Sequence, residues 1–165
     1  MGDERVTMTE AESSRLDFIG EHLATYLGSG GARGHVMSFT AIGGLPFTTT
    51  LLLETFGRKS GERRLSPLIY GVHGGEVVVI ASKGGADVHP GWYFNLPAGK
   101  EVAIQIATEA FRATWRVADE TERDAIWNYM AGLFPPYRSY RTATDRVIPV
   151  VLLQPGEAVE PLKPR

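Results

Sequence analysis

Apolar and polar positions follow two different periods along this chain, and the period changes near residue 46. Before that point, apolar residues recur every three or four positions, at Leu16, Ile19, Leu23, Tyr26 and Leu27. Thr9 and Glu12 have the spacing of a capping box, and Gly28 is a natural helix end. The pattern therefore predicts an amphipathic helix that begins near Thr9 and ends at Gly28.

This helix has two interpretations. Its apolar stripe either packs on the body of the domain, or the helix is a loosely attached arm that contacts a membrane or a partner. The polar face carries acids as well as bases: Glu12, Arg15, Asp17 and Glu21. An anionic lipid surface is therefore not strongly favoured.

From Gly28 to Pro46 the chain holds six glycines, which indicates a flexible connection with one short strand in the segment His35–Phe39. After it, β-branched and apolar residues dominate. Five strands are predicted there, at residues 48–56, 65–72, 76–81, 102–106 and 110–117. The sequence His73-Gly74-Gly75 predicts the hairpin turn into the third of them.

The fifth of these strands alternates apolar and polar residues, so one face is expected to be buried. That face carries Phe111, Ala113, Trp115 and Val117. A helix capped by Asp119 and Glu122 should follow and end at Pro135-Pro136.

Beyond this helix, the segment Tyr137–Tyr140 is expected to be an aromatic loop and Val147–Leu153 a last strand. Residues 156–165, which are rich in proline, are expected to form a flexible tail. This element order is α+β, and its short antiparallel strands most simply curl into a small barrel with flanking helices.

Composition limits the function classes. The 165 residues suit one domain, and a net charge of −2 gives no basic field for nucleic acid. The chain has no cysteine, which excludes disulfides, thiolate metal sites and cysteine nucleophiles. We find neither a signal-peptide profile nor an apolar run of about 18 residues that would span a membrane. A cytoplasmic protein is expected, with peripheral membrane contact as an alternative.

Two polar loops between the predicted strands carry the candidate chemistry. The first, Gly57–Gly61, has Arg58, Lys59 and Ser60 between its glycines, and Arg64 follows it. Backbone N–H groups and cations at such a turn suit an anion, although a solvated hairpin tip has the same composition. It is neither a Walker A loop nor a dinucleotide-binding fingerprint.

The second loop, Ser82–Ala86, leads to the consecutive aromatics Trp92, Tyr93 and Phe94. Those rings either pack in the core or face a flat ligand, and the two loops together suggest a ligand with both an anion and a ring. The four histidines are scattered without metal-ligand spacing, and no serine-hydrolase elbow is present. Tyr137 and Tyr140 are either ordinary loop aromatics or phenols that donate to a reacting oxygen.

At these same loops the sequence resembles a known family. The segments LLLETFGRKSGERRLSPLIY, VVVIASKGGADVHPGWYFNL and FPPYRSYRTATDRVIPVVLL are similar to the deazaflavin-dependent nitroreductases of actinobacteria. The resemblance covers roughly Pro46 to Gln154. It implies a split β-barrel that binds the 5-deazaflavin coenzyme F-420, whose oligoglutamate tail is anionic. It also implies three regions: an N-terminal helix and glycine-rich connection (1–45), a deazaflavin-binding split-barrel domain (46–155) and the tail (156–165).

The resemblance also assigns residues to the coenzyme. It places phosphate and tail contacts on Arg58, Lys59, Ser60 and Arg64. It places ring and neighbouring contacts on Ser66, Pro67, Leu68, Ile80, Ala81, Ser82 and Lys83. It implies that the site is closed by Trp92, Tyr93 and Asn95 and approached by Tyr137.

The implied activity is hydride transfer from the reduced coenzyme to a small electron-poor acceptor: a quinone first, then an enone, an unsaturated lactone or a nitroaromatic. Ser82, Tyr137 and Tyr140 are the candidate catalytic residues, and Ile69, Phe134 and Tyr140 are expected to face the acceptor. Nitroimidazole-reducing relatives have tyrosines where this chain has Ile69 and Phe134, so nitroimidazole reduction is not implied. Two alternatives stay open: a non-enzymatic deazaflavin carrier, and a flavin-mononucleotide oxidoreductase on a related barrel.

Overall fold

In the computed structural model, which describes residues 10–98 and 101–164, an antiparallel sheet curls into a half-barrel flanked by helices. The α-helices are α1 (Glu10–Gly28), α2 (Gly91–Asn95), α3 (Glu120–Leu133) and α4 (Pro136–Ala143). The strands are β1 (Val36–Met37), β2 (Thr48–Phe56), β3 (Arg63–Ile69), β4 (Gly71–His73), β5 (Glu76–Ile80), β6 (Val102–Ile106), β7 (Glu109–Val117) and β8 (Val150–Val159).

The strands follow the order β1-β2-β6-β7-β8-β5-β4, and β3 pairs with β2 outside this order. The β2–β3 hairpin runs from Thr50 opposite Ile69 to Phe56 opposite Arg63, which places the first polar loop at its tip. The second polar loop follows β5 directly. The ends of the β2–β3 hairpin and of β5 therefore place the two loops.

Two apolar clusters cover opposite faces of the sheet, which explains the unbroken apolar runs in β5 and β8. On β5, Val77 and Val79 face one cluster while Val78 and Ile80 face the other. The first cluster lies between the β2, β5, β6 and β8 strands, and the second lies under α3. Because successive side chains of β5 point to opposite faces of the sheet, this one strand packs on both clusters and joins the half-barrel to the helical layer.

Helix α1 packs on the body of the domain, as the first of its two interpretations proposed. Tyr26 is fully buried, its hydroxyl lies 3.1 Å from the carbonyl oxygen of Thr50, and it accepts a hydrogen bond from the Ala107 N–H at 2.8 Å. Burial raises the pKa of this phenol to about 12. The predicted cap at Thr9 and the side chains of residues 10–16 lie outside what the structure describes.

The sheet and α3 follow the pattern of the sequence closely. The bounds of β2 and β6 are those predicted, and Gly74 and Gly75 turn the β4–β5 hairpin with positive φ. The predicted cap of α3 is present, because the Asp119 side chain accepts from the Glu122 N–H while the Glu122 side chain accepts from the Asp119 N–H.

Four expectations need correction. The strand predicted at 65–72 is broken at Tyr70 into β3 and β4. The expected aromatic loop is helix α4, because Pro136 occupies its first position, where proline is tolerated. The expected burial of one β7 face is incomplete, because Trp115 and Val117 remain more than a third exposed.

The fourth correction concerns the C-terminal segment, which is not a loose tail where the structure describes it. β8 continues through Val159 and pairs with β7 up to Ala110. Leu162 is buried, and its N–H donates to the Gln105 side chain at 2.7 Å. These pairings give the segment partners that its composition does not reveal.

Candidate active site

A cleft of about 330 Å³ opens between α1, the β3 strand, the loop after β5 and helix α4. Its walls are mostly apolar and aromatic, with a few hydroxyl and cationic side chains among them. The predicted residues that line it are Ser66, Pro67, Leu68, Ile69, Ile80, Ser82, Lys83, Trp92, Phe134, Tyr137 and Tyr140. Such walls suit a flat, largely apolar ligand.

A second pocket of about 480 Å³ lies at the tip of the β2–β3 hairpin. The predicted residues around it are Arg58, Lys59, Ser60, Arg64, Ser66, Trp92 and Asn95. Leu65, Ser66 and Trp92 line both pockets, so these residues form a common wall between the cleft and the cationic pocket. A ligand with a ring and an anionic arm can therefore occupy both at once.

Two predicted residues, Ala81 and Tyr93, line neither pocket. Ala81 is fully buried beneath the second loop. Tyr93 is half-buried and packs its ring 4.7 Å from that of His89. Both residues support the walls of the site and do not form them.

The first loop offers a candidate anion three cationic side chains, while several of its backbone N–H groups are engaged within the protein. The Gly57 N–H donates to the Glu62 carbonyl at 2.7 Å, and the Gly61 N–H donates back to Gly57 at 2.8 Å. The Glu62 N–H donates to the Ser60 hydroxyl at 3.1 Å. These three N–H groups are therefore engaged within the turn, and the positive charge of the pocket comes from Arg58, Lys59 and Arg64.

Arg64 is not isolated, since it forms an ion pair with Glu62 at 3.3 Å. Both side chains are about half exposed, so solvent screens this pair. The Arg58 guanidinium lies 4.8 Å from the centre of the Phe94 ring, at cation–π distance. The third consecutive aromatic thus positions a cation of the pocket.

Asn95 links helix α2 to the first loop. It is buried, its Oδ1 accepts from the Arg58 N–H at 3.1 Å, and its Nδ2 donates to the Thr55 hydroxyl at 3.3 Å. Because both ends of its amide are hydrogen-bonded, Asn95 helps to set the shape of the cationic pocket.

The second loop has an unusual backbone. Lys83, Gly84 and Gly85 all have left-handed φ angles, of 47°, 64° and 82°. At Gly85 a Cβ atom would lie 3.0 Å from the Tyr140 Cα atom, so only glycine lets α4 approach the loop this closely. This approach brings Tyr137 and Tyr140 to the cleft beside Ser82.

An aromatic wall closes the far side of the cleft. The Phe134 ring lies 4.8 Å from that of Tyr137, 5.6 Å from that of Phe39 and 6.1 Å from that of Tyr140. Tyr137 is almost fully buried, and burial, with a smaller effect of neighbouring Tyr140, raises the pKa of its phenol. Tyr137 therefore stays protonated at neutral pH and can donate a hydrogen bond.

Sequence reasoning missed the contribution of α1 to this cleft. Phe18, Ile19 and His22 line it, and the His22 Nε2 atom lies 2.8 Å from the Gly34 carbonyl oxygen. Burial lowers the pKa of His22 and keeps the ring neutral. The signal was present, since His22 follows Ile19 by three positions and precedes Tyr26 by four, on the packed face of the helix.

Two further residues near the cleft make contacts that the sequence did not indicate. Tyr70 follows Ile69, which lines the cleft, but it points away from the cleft and bonds to the His35 Nε2 atom at 2.7 Å. Arg146, which sequence reasoning did not select, bonds to carbonyl groups of the second loop.

In the part of the chain that the structure describes, no helix is long and apolar enough to cross a membrane.

This chain is similar in sequence to proteins of a described family. The family model described as F420H(2)-dependent quinone reductase matches residues 21–155. A putative F420H(2)-dependent quinone reductase of Mycobacterium tuberculosis is 37% identical over 106 residues, which are 64% of this chain and 89% of that protein. A second M. tuberculosis F420H(2)-dependent quinone reductase is 35% identical over 135 residues, 80% of this chain and 86% of the relative.

A solved structure also resembles this chain in both fold and sequence. The structure of an F420-H2 dependent reductase superposes with a TM-score of 0.58 and is 38% identical, covering 64% of this chain and 93% of its own. The expected α+β fold, a small antiparallel split β-barrel with flanking helices, is therefore confirmed, and its sheet is curled into a half-barrel.

Proposed function

The chain belongs to the F420H(2)-dependent quinone reductase family, and from this membership we propose that it reduces a quinone in the cleft with hydride from reduced deazaflavin. It is accordingly a deazaflavin-dependent oxidoreductase, and the non-enzymatic alternative is set aside. The observation that carries the proposal is the common wall of Leu65, Ser66 and Trp92, which joins an apolar cleft to a cationic pocket.

The residues of the two pockets fit the coenzyme. Arg58, Lys59 and Arg64 offer cations to its phosphate and carboxylate groups. Pro67, Leu68 and Trp92 offer apolar surface to its ring. When bound, the reduced coenzyme supplies the hydride, and the protein supplies orientation and electrostatics.

The acceptor requires a proton as well as a hydride. A quinone that takes up a hydride gains two electrons and one proton, and one further proton completes the quinol. We assign this donation or the stabilisation of the developing oxyanion to Tyr137, with Ser82 and Tyr140 as hydrogen-bonding partners at the same cleft. Tyr137 is favoured because it lines the cleft and its ring is held against Phe134. Burial raises its pKa, which suits the phenol to donating a hydrogen bond to the developing oxyanion.

The cleft favours quinones over other acceptors. Ile69 and Phe134 line it with hydrocarbon, and Phe39 adds a further ring. These apolar walls suit the ring and aliphatic substituents of a quinone. Enones, unsaturated lactones and nitroaromatics are secondary candidates, since the family model is described by quinone reduction.

The rim of the cleft suggests where a lipid-soluble quinone would enter. Phe18 of α1 and Ile42 line the cleft and are 41% and 57% exposed. Leu45 and Phe47 follow Ile42 in the loop before β2 and are 39% and 81% exposed. We propose that this apolar rim touches the membrane surface peripherally. Co-sedimentation with lipid vesicles, lost in a Phe47→Ser variant and kept in wild type, tests this contact, and equal sedimentation of both contradicts it.

The central test is a titration with deazaflavin coenzyme, followed by mixing of the reduced complex with menadione. Micromolar binding and reoxidation of the coenzyme faster than without protein are expected. Binding without faster reoxidation would point back to a carrier. Absence of binding in both redox states would overturn the proposal.

A further inference from the structure

We propose that Arg146 is a positioning residue that holds the second loop, Ser82–Ala86, in its binding conformation. The inference rests on the proposed function, because this loop presents Ser82 and Lys83 to the cleft. Arg146 itself lines neither pocket. It acts through the backbone of the loop.

A single guanidinium meets the loop at both ends. The Arg146 Nη2 donates to the Ser82 carbonyl at 2.7 Å, Nη1 to the Ala81 carbonyl at 3.2 Å, and Nε to the Ala86 carbonyl at 2.6 Å. The carbonyls before and after the left-handed residues therefore share one cation. Only the planar fork of arginine offers donors in this arrangement, whereas lysine is a point charge.

The loop needs such an external partner because its own bonds are few. The Gly85 N–H donates to the Ser82 carbonyl at 3.0 Å and the Ala86 N–H to the Lys83 carbonyl at 3.2 Å. Between them lies the left-handed run that begins at Lys83, a residue type that rarely adopts this conformation. The guanidinium selects this backbone by binding carbonyls that converge only when the run is in place.

Arg146 also connects the second loop to the first. Its Nη1 lies 2.9 Å from the His89 Nδ1 atom, and the His89 ring packs 5.5 Å from that of Phe94. Phe94 in turn lies under the Arg58 guanidinium. The series Arg146, His89, Phe94, Arg58 therefore runs from the ring side of the site to its anion side.

The test compares Arg146→Met and Arg146→Lys with a matched control, Arg116→Met. Arg116 also makes four side-chain hydrogen bonds, to Glu76 and Glu122, but it lies on β7 away from both pockets. Coenzyme affinity, kcat for menadione and amide exchange at Gly85 and Ala86 are measured for each protein.

We expect Arg146→Met to weaken coenzyme binding and lower kcat by roughly tenfold or more, with faster exchange at both amides. Arg146→Lys should be intermediate and Arg116→Met within roughly twofold of wild type. Unchanged exchange and binding in Arg146→Met would overturn the inference. If Arg146→Met does not fold, the Lys variant decides by the same readouts.

The exchange measurement separates this inference from the proposed function. It is made without coenzyme. If the wild-type protein neither bound the coenzyme nor reduced menadione, the proposed function would be refuted, but the effect of Arg146 on the loop could still be measured. Faster exchange in Arg146→Met with unchanged coenzyme binding would show that the loop is held but not used, which also overturns the inference.

Discussion

The buried Asn95 side chain accepts a hydrogen bond from the backbone N–H of Arg58 at 3.1 Å. This bond joins the end of α2 to the first loop across 37 residues of sequence. The second hydrogen bond of the Asn95 side chain, to Thr55, fixes the amide to β2. The position of the cationic pocket therefore depends on an uncharged side chain.

Replacement of Asn95 by leucine should damage both stability and binding. The change leaves the Arg58 N–H without its acceptor and removes the bond to Thr55, so we expect a loss of about 2 kcal/mol in the free energy of unfolding. Coenzyme affinity should fall by roughly tenfold because the loop is no longer fixed. Denaturant unfolding and coenzyme titration measure the two effects.

Thr55→Val is the matched control for Asn95. It removes the Asn95–Thr55 bond and leaves the bond to Arg58. Stability should fall while coenzyme affinity stays close to wild type. An equal loss of affinity in both variants would contradict a specific role for the Asn95–Arg58 bond.

The cations of the first loop should contribute to affinity through charge. Lys59→Ala and Arg64→Ala should each weaken coenzyme binding by about 1 kcal/mol, roughly fivefold, since both side chains are exposed and screened. The effect should shrink between about 20 mM and about 500 mM salt. Isothermal titration at the two salt concentrations measures it.

Arg112→Ala provides the same change in net charge on β7, away from the pocket. It should leave affinity unchanged at both salt concentrations. A loss as large as that of Lys59→Ala would mean that the overall charge, and not the pocket, attracts the coenzyme.

The strands β5 and β6 and the first part of β8 could be predicted because their short apolar runs bury both faces. The start of α3 could be predicted from its Asp119 cap. The errors lie where tertiary contacts decide. Residues 156–159 become strand only because β7 offers them partners. α4 forms where Gly85 admits its close approach.

The candidate site was only partly predictable for a similar reason. Motif residues such as Lys59 and Ser82 are neighbours of glycines and were found from sequence. His22 and Arg146 act over long sequence separations, of 28 residues to Thr50 and 64 to Ser82. No local sequence pattern around a histidine on a helix, or around an arginine that follows a helix, indicates such distant partners.

Removal of the Tyr137 hydroxyl should separate catalysis from binding. Tyr137→Phe keeps the ring against Phe134 and removes the proton, so kcat for menadione should fall by about 100-fold with little change in coenzyme affinity. In the wild type, the raised pKa of Tyr137 should hold kcat level between about pH 7 and about pH 9. Stopped-flow reoxidation measures both.

Tyr129→Phe is the corresponding control, because Tyr129 bonds to the Val72 N–H on β4 and lines neither pocket. Its kcat should equal that of wild type. If the Tyr137→Phe enzyme kept the wild-type kcat, the donor would have to be another group of the cleft.

Stability should fall as the pH drops below about 6.5, the ordinary pKa of histidine. Burial lowers the pKa of His22, His35 and His89 in the folded protein, and Arg146 adds to the effect at His89. The unfolded chain therefore binds more protons than the folded one in this range, and the free energy of unfolding rises with pH. Urea denaturation at about pH 5 and about pH 7.5 measures the difference. His89→Gln, whose amide oxygen still accepts from Arg146, should reduce it, and equal stability of the wild type at both pH values would contradict the assignment.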